Sequence, residues 1–456
     1  MVCPEQLPPT GIQVIIVGAE GIGGLACAIE CQNKGHSVIV LEKFPKLEIL
    51  GDIISFGPNA GRIIERWGNG LVADRLRPIT LNHTGSTWRR FDGAEITKMR
   101  THGLKFGSPM YNGHRGEFHE IFFNFAKETG VEIRLGQRVE EYWEEPGKAG
   151  VIVNGQRMEA DLVVGADGVR SKARKLVLGY DDKPHSSGYA VWRTWFTSEE
   201  LAKDPLTEWM TKGDTHTGWF GPDVHFLAAS LKQGKDISWV CTHEDKADIE
   251  ESWSFPGKIE DVLKVVGDWD PVVQTLVKKT PPDTLVDWKL VYRDPLPTWI
   301  SKGARTCLLG DAAHPFLPTS IQGASQAMED GVVLAACLHA AGKDRVPLAV
   351  RSYERIRYER CRRAQRLGET NRDTWHKADF STVLEKEKAG GMKLPTPPWL
   401  FSHDSETNAY RVFPQVSKDI LAGKYGSEEI GNQTGICEKK LTTVSAPVTK
   451  QAEVGA

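Results

Sequence analysis

The feature that most constrains this chain is a glycine cluster that stands between two short apolar runs near its start. A β-branched run, Gln13–Val17, precedes the loop Gly18-Ala-Glu-Gly-Ile-Gly-Gly-Leu-Ala26, and a second apolar run ends at Glu42. Glycine lets backbone N–H groups at a helix N-terminus approach a pyrophosphate closely, and an acidic residue after the second strand accepts hydrogen bonds from ribose hydroxyls. The pattern therefore predicts a β-α-β unit that binds a dinucleotide through Gly18, Gly21, Gly23 and Glu42.

The spacing of these glycines departs from the usual G-x-G-x-x-G pattern. The pattern is not met from Gly18, because Glu20 reads as a one-residue insertion, but it is met as Gly21-x-Gly23-x-x-Ala26. The inserted carboxylate would lie unfavourably near phosphates unless it points outward. The alternative interpretation is a glycine-rich turn in which Glu42 is only a solvated charge at a strand end.

Two later turns narrow the kind of nucleotide. The first is Gly165-Ala-Asp-Gly168 after an apolar run, and the second is Gly310-Asp311, followed by a loop that opens a helix at Gly323-Ala324. An aspartate at such a turn can accept hydrogen bonds from ribityl or ribose hydroxyls, and N–H groups at a helix start can face a flavin carbonyl. Each turn alone is ordinary, but the three loops in this order indicate a flavin nucleotide.

With these motifs the chain resembles the class A FAD-dependent aromatic monooxygenases, the salicylate hydroxylase-like family, over about residues 12–370. Two further stretches match the family, Gly51–Ala60 and His114–His119. The resemblance is strongest to fungal indole-alkaloid tailoring monooxygenases of the notoamide, paraherquamide and fumiquinazoline type. Ile321 and Gln326 depart from the family pattern, since members often have Gly and Asn there.

The resemblance implies FAD as the cofactor, NADPH or NADH as the reductant, O2 as the co-substrate, and no metal. It also implies which residues bind FAD. Glu42 would hold the adenosine ribose, and Asp167 would serve both FAD and NADPH. The remaining contacts would come from Ser55, Arg115, Asp311, Gly323 and Ala324.

The strongest catalytic candidate is Arg193, which begins a β-rich insert and is similar in position to an arginine that family members use. A fixed guanidinium there can donate hydrogen bonds to negative charge that develops on the transferred oxygen. The alternative is a strand arginine in a salt bridge, or one stacked on Trp192 or Trp195.

The resemblance implies a single-component monooxygenase that inserts one oxygen atom into an electron-rich, hydrophobic aromatic molecule. His225, in the run Val224–Leu231, is a lone candidate for the base that phenol hydroxylation uses, and it is better explained by packing. An indole needs no such base, so the sequence favours the indole 2,3-bond of a fungal alkaloid, with epoxidation followed by ring opening or a 1,2-shift. The alternatives are a phenol or salicylate hydroxylase, an FAD oxidase and, ranked last, a flavin-free binding protein on the same fold.

The fold class that follows is α/β, with a Rossmann-like FAD-binding domain, an inserted β-sheet substrate domain and C-terminal helices. Nine of the fourteen Trp lie within 186–300, which is typical of a β-rich region with aromatic faces. We divide the chain into 1–180 and 301–375 for the two parts of the FAD-binding domain, 181–300 for the insert, and 376–456 for a C-terminal region with a mobile tail from about 431. The seven arginines between 351 and 366 are expected on a solvated helix face.

Composition excludes several other classes. The 456 residues are 40% hydrophobic with a formal net charge of −3, which indicates neither disorder nor a nucleic-acid partner. Eight scattered Cys favour a reducing compartment, and the longest apolar stretch, Val332–Ala341, is too short to cross a bilayer. We expect a cytoplasmic protein without a targeting segment or a membrane span, and the oligomeric state stays open.

Overall fold

This computed structural model describes residues 7–47, 51–82, 85–100, 104–182, 185–245, 255–376 and 397–424. The tail expected from about residue 431 lies outside these ranges. The strands are β1 (Gln13–Val17), β2 (Ser37–Leu41), β3 (Ile53–Phe56), β4 (Gly85–Arg90), β5 (Glu95–Arg100), β6 (Tyr111–His114), β7 (Glu132–Arg134), β8 (Val139–Glu145), β9 (Lys148–Val153), β10 (Gln156–Ala160), β11 (Leu162–Gly165), β12 (His185–Thr197), β13 (Thr215–Gly221), β14 (Val224–Leu231), β15 (Asp236–Glu244), β16 (Phe255–Pro256), β17 (Val286–Tyr292) and β18 (Thr306–Leu308). The helices are α1 (Ile22–Asn33), α2 (Pro58–Arg66), α3 (Leu71–Leu76), α4 (Arg115–Glu128), α5 (Ala173–Leu178), α6 (Ile259–Val266), α7 (Pro271–Lys278), α8 (Gly323–Ala341), α9 (Val346–His376), α10 (Pro398–Phe401) and α11 (Ser405–Leu421).

A five-stranded parallel sheet in the order β18-β11-β1-β2-β7 forms the centre of the half that contains the glycine loop. Side chains of β1 alternate between two cores, because successive residues of a strand point to opposite faces. Val14 and Ile16 pack on the helix side of the sheet. Ile15 and Val17 pack on the other side against the three-stranded sheet β10-β9-β8. Both faces are therefore covered, which explains why β1 and β2 read as nearly continuous apolar runs.

Helices α1 and α8 pack closely on one face of this sheet because small residues line their contact. A Cβ atom added to Gly331 would lie 2.6 Å from the backbone nitrogen of Cys27. The apolar stretch Val332–Ala341 is the second half of α8, which is buried almost all round. None of the helices within the described ranges has the length and hydrophobicity that a membrane span requires.

An eight-stranded sheet in the order β16-β17-β12-β15-β14-β13-β4-β5 forms the other half. Its strands pair antiparallel except at β4 and β13, where Thr87 lies beside Thr217 in a parallel pair. This pairing brings β4 and β5 into the sheet, so it draws on residues before 181 as well as on the insert. One face packs on α6 and α7 around a core that includes Trp192, Trp219 and Trp239, which is ordinary sheet packing for these tryptophans.

A buried histidine makes the stability of the half that contains the glycine loop depend on pH. His36 is 1% exposed, its Nδ1 lies 2.7 Å from the Thr10 hydroxyl, and its Nε2 lies 3.3 Å from the Ala335 carbonyl oxygen. Burial lowers the pKa of His36 from 6.5 to about 4. As the pH falls, His36 takes up a proton in the unfolded chain before it does so in the folded protein. The contribution of neutral His36 to the free energy of unfolding is therefore complete above the unfolded pKa of 6.5 and is lost as the pH falls towards 4.

We expect His36→Gln to flatten this pH dependence. Between about pH 7.5 and pH 5, the wild type should lose about 2 kcal/mol of unfolding free energy more than the variant does. Urea unfolding followed by circular dichroism at both pH values measures the difference. An equal loss in both proteins would show that His36 is not the group that titrates.

Candidate active site

A cavity of about 540 Å³ lies between the two halves. One end is formed by the glycine loop before α1 and by the start of α8. The other end is formed by strands β12, β14 and β15 of the large sheet. Such a volume and such a position between two domains are typical of small-molecule sites.

The backbone geometry of the glycine loop favours one assignment of its glycines. Gly18 has φ +112°, and a Cβ atom on Gly24 would lie 1.9 Å from the Gly18 carbonyl oxygen. A Cβ on Gly21 would lie 3.6 Å from its nearest neighbour. The left-handed turn, the open position and the closest backbone contact fall on Gly18, Gly21 and Gly24, so the geometry favours this set over the spacing Gly21-x-Gly23-x-x-Ala26. In this set Glu20 is the additional residue between the first and the second glycine, just before the helix that begins at Ile22.

Gly23 and Glu42 both support this loop. Gly23 lines the cavity with its backbone, while a Cβ there would meet Leu309 at 2.7 Å. The Glu42 carboxylate accepts the N–H of Ala19 at 2.8 Å and the N–H of Glu20 at 2.9 Å. Glu42 thus stabilises the extra residue, whose own side chain is exposed. Glu42 is not one of the described residues that line the cavity.

His119 is a support of this loop that the sequence did not reveal. Its Nε2 lies 2.7 Å from the carbonyl oxygen of Ala19, and the side chain is buried on α4. Together with Glu42 it contacts both the N–H and the C=O of the lengthened turn. A histidine four positions after Arg115 carries no local signal for such a contact, because its partner is 100 residues away in the chain.

Both helices that point at the cavity lack a side-chain cap. Gly21 and Gln322 are the N-cap residues of α1 and α8, neither N-cap accepts a hydrogen bond with its side chain, and neither first turn contains an acidic residue. The helix starts line the cavity, including Gly323 and Ala324. Unpaired N–H groups at a helix start favour negative charge, so the cavity offers two sites for it, as a flavin dinucleotide requires.

The remaining FAD-binding candidates lie at or beside the cavity. Ser55 and Arg115 line it, with Ser55 on β3 opposite Asn112 on β6. Asp167 lies just outside the lining, and its Oδ2 accepts hydrogen bonds from the Tyr142 hydroxyl and from the N–H of Lys172, both at 2.9 Å. Its Oδ1 is buried and has no partner among the described residues. An orphaned acceptor of this kind fits a ligand that carries hydroxyl donors.

Asp311 faces the cavity from the turn after β18. Enclosure by the protein raises the pKa of Asp311, and the positive charges of His314 and Arg115 oppose this shift. Arg174 holds the turn from behind, because its Nε donates to the Ala312 carbonyl at 2.7 Å and its Nη2 to the Asp311 carbonyl at 3.2 Å. Burial lowers the pKa of Arg174 to about 10.

Arg193 lies in the cavity wall and is 5% exposed. Its Nη1 lies 3.1 Å from Oδ1 of Asp52, and its guanidinium carbon lies 5.1 Å from the centre of the Trp288 ring. The salt bridge that the alternative interpretation of Arg193 expected is therefore present. The aromatic ring beside the guanidinium is that of Trp288. Asp52, which also lines the cavity, belongs to the matched stretch Gly51–Ala60 but could not be singled out from it.

A buried ion cluster between α8 and α9 lies behind the turn at Gly310. Asp330 accepts from the N–H of Gly310 at 3.1 Å, lies 2.6 Å from Nε2 of His314, and accepts from Nε of Arg357 at 2.7 Å. Glu329 accepts from Arg357 at 2.5 Å and from Nε of Arg360 at 2.7 Å. These charges lower the pKa of both carboxyls and raise the pKa of His314.

The arginines of α9 do not all lie on a solvated face, so that expectation needs correction. Arg357 is 0% exposed within the ion cluster. Arg366, nine residues on, is exposed and paired with Glu359 at 2.8 Å. A helical pattern of one charged residue type does not show which members face an acidic neighbour in another helix.

The segment after residue 396 completes the cavity. Leu400 and Phe401 line it, and the Phe401 ring lies 5.4 Å from that of Phe106. Arg360 donates to the carbonyls of Trp399 at 2.8 Å and Leu400 at 2.9 Å. The ion cluster therefore also fixes this last piece of the wall, which the sequence did not indicate.

Two uncapped helix starts and a glycine turn at one cavity, with an orphaned carboxylate oxygen beside it, are the features of a dinucleotide-binding protein of the Rossmann-like α/β class. The comparisons with known proteins agree. Residues 11–367 match the family model described as an FAD binding domain, and the chain belongs to this family.

Two relatives are enzymes of fungi. The asperlicin C monooxygenase of Petromyces alliaceus is 38% identical over 430 residues, which cover 91% of this chain and 92% of that enzyme. The FAD-dependent monooxygenase notI of an Aspergillus species is 36% identical over 435 residues, covering 91% of this chain and 95% of that enzyme.

Solved structures give the same assignment. The crystal structure of CtdE in complex with FAD and substrate 4 has a TM-score of 0.84 and 36% identity, covering 90% of this chain and 100% of that one. The structure of FqzB has a TM-score of 0.83 and 38% identity, covering 93% and 98%. The predicted class is confirmed: this protein is an FAD-dependent monooxygenase that uses O2 and a nicotinamide reductant.

Two alanine substitutions should separate the roles of the loop glycines. Gly24→Ala should destabilise the protein and abolish FAD binding, because the added methyl group overlaps the Gly18 carbonyl. Gly21→Ala should melt within a few degrees of wild type but bind FAD at least about tenfold more weakly, since its methyl group projects where the pyrophosphate approaches. Thermal melting and titration with FAD measure both effects. Unchanged FAD affinity in Gly21→Ala would contradict this assignment of the loop glycines.

Removing the central cation of the ion cluster should be costly. Arg357→Met leaves two buried carboxylates with fewer partners, so we expect the free energy of unfolding to fall by about 3–5 kcal/mol. The matched control is Arg366→Met on the exposed part of α9, which should change it by at most about 0.5 kcal/mol. Denaturant unfolding measures both variants, and similar losses in the two would refute the structural role of the cluster.

Proposed function

We propose that this enzyme inserts one oxygen atom into the 2,3-bond of an indole that belongs to an uncharged fungal alkaloid, with NADPH or NADH as reductant. The observation that carries the proposal is the charge pattern of the cavity. Its charged lining residues, within the described ranges, are two carboxylates and two cations, Asp52, Asp311, Arg115 and Arg193. Of these, Arg193 is paired with Asp52.

This charge balance supports a neutral substrate. A carboxylated aromatic acid would need a cation of its own inside the cavity, because a buried unpaired charge is expensive. The wall away from the glycine loop is instead mostly apolar, and it includes Leu81, Trp88, Met99, Leu227 and Val240. Such a wall suits a polycyclic aromatic molecule.

The roles of the FAD-binding residues are part of the proposal. The N–H groups at Gly21 and the turn at Gly18 would hold the pyrophosphate, and Gly23 would add a backbone N–H group. Glu42, which lies just outside the cavity lining, would reach the ribose. Arg115 and Ser55 would contact the middle of the cofactor. Asp167 and Asp311 would accept from its hydroxyls, and Gly323 and Ala324 would face the flavin edge. When bound, FAD supplies the redox chemistry that turns O2 into an electrophilic oxygen donor.

Arg193 would act on the oxygen atom during its transfer. Its guanidinium can donate a hydrogen bond as negative charge develops on that atom, and Asp52 holds the guanidinium in place. The Trp288 ring restrains it further. An indole 2,3-bond is electron-rich without ionisation, so the reaction needs no base. The resulting epoxide would open or rearrange by a 1,2-shift.

We expect Arg193→Gln to keep FAD and to accept electrons from NADPH but to lose product formation by about 100- to 1000-fold. The O2 that it consumes should then be released as H2O2. The matched control is Arg89→Gln on β4 of the same sheet, whose side chain bonds the Gly93 carbonyl at 2.9 Å and does not line the cavity. The amount of oxygenated product formed per NADPH consumed, determined by mass spectrometry, is measured for both variants. If Arg193→Gln forms as much product per NADPH as the wild type, Arg193 does not have this role.

Substrate charge can be tested directly on the wild type. The uncharged indole cyclo(L-Trp-L-Pro) should stimulate NADPH oxidation and gain one oxygen atom, whereas salicylate should do neither. Stimulation by salicylate with hydroxylation would favour the phenol hydroxylase alternative. H2O2 as the sole product with every aromatic compound would favour an oxidase.

A further inference from the structure

A strained residue lies in the loop that enters α8. Ile321 has φ +53° and ψ 25°, the left-handed region that β-branched side chains avoid. The other non-glycine residues with positive φ in the described ranges are Asn69, Asn154, Asp223, Lys232, Gln233 and Ala304, none of which is β-branched. Of these residues, Ile321 has the side chain that is least compatible with a left-handed backbone.

The turn itself explains the backbone but not the isoleucine. Ile321 ends a short turn, its N–H donates to the Pro318 carbonyl at 2.9 Å, and Gln322 then leads into α8. A left-handed residue is needed to reverse the chain here. Glycine would adopt that conformation without steric cost.

Burial does not explain the isoleucine either. Its side chain is 44% exposed, although it lines the cavity. A side chain in the hydrophobic core would offset backbone strain by removing apolar surface from water. Since Ile321 leaves much of its surface accessible, the protein alone does not provide that compensation.

The position of Ile321 points to the substrate rather than to the cofactor. The neighbouring groups that can face the flavin edge are the N–H groups of Gly323 and Ala324, and a glycine at 321 would leave them in place. Around the same corner, Phe401 and Gln322 both approach the position that a Cβ of Gly57 would take, each at 3.1 Å. The residue after Ile321 thus meets the C-terminal segment at Gly57, and Ile321 lines the same cavity as Leu400 and Phe401.

We propose that Ile321 is a specificity-determining residue whose backbone strain is compensated by apolar contact between its side chain and the bound aromatic substrate. This inference rests on the proposed function, because it takes the ligand of the apolar wall to be the molecule that is oxygenated. The strain is present in the free protein, and the compensation appears only when substrate fills the cavity.

Three variants of the FAD-loaded enzyme test the proposal. Ile321→Gly should melt at the same or a higher temperature than wild type, bind FAD within about twofold, and show a KM for cyclo(L-Trp-L-Pro) at least about tenfold higher. Ile321→Val keeps the β-branch and most of the apolar surface, so its KM should stay within about threefold. Gln233→Gly relieves an exposed left-handed residue outside the cavity lining, and its KM should not change.

Several results would overturn the proposal. A lower melting temperature for Ile321→Gly would show that the side chain stabilises the free protein. Weaker FAD binding with an unchanged KM would assign the contact to the cofactor. If the wild type oxygenates salicylate and not the indole, the proposed function fails, and the KM of the same variants is then measured with salicylate as the substrate. An unchanged KM for salicylate in Ile321→Gly would overturn the role of Ile321 as well.

Discussion

The cavity of this monooxygenase depends on one buried ion cluster. Asp330 connects the Gly310 turn, His314 and Arg357, while Glu329 connects Arg357 to Arg360. Burying charges is costly, so a complete set of partners matters more than the number of bridges. The cluster joins α8, α9, the turn at Gly310 and the C-terminal segment, and each of these contributes to the cavity. Its main effect is to hold four separate pieces of chain in one arrangement.

The cavity presents backbone groups where the proposed function places the nucleotide. The starts of α1 and α8 point at one cavity, and neither is neutralised by a side-chain cap. Tight packing makes this possible, since Gly24 approaches the Gly18 carbonyl and Gly331 approaches Cys27. An inserted residue in the loop is tolerated because Glu42 and His119 bond the extra backbone groups. Both the N–H and the C=O of Ala19 in the longer turn are therefore paired.

In the function that we propose, Arg193 and Asp52 balance each other's charge beside the substrate, so substrate binding and oxygen transfer depend on different interactions. Arg193 is held by Asp52 and is thus not available to attract an anionic ligand. It can still donate a hydrogen bond to an oxygen atom that becomes negative during the reaction. The apolar wall and the strained Ile321 then leave affinity to shape and to apolar contact. Together these features favour a neutral aromatic substrate.

The sequence by itself determined the parts of this protein that depend on neighbours along the chain. The β-α-β unit, the turns at Gly165 and Gly310, the aromatic second sheet and the FAD-dependent class all followed from local spacing and resemblance. The pairing of Arg193 with Asp52, 141 residues away, did not, and neither did the burial of Arg357 or the contribution of Phe401 to the cavity. Periodicity reports which face a side chain occupies, whereas the partner of a buried charge is chosen only when distant elements pack together.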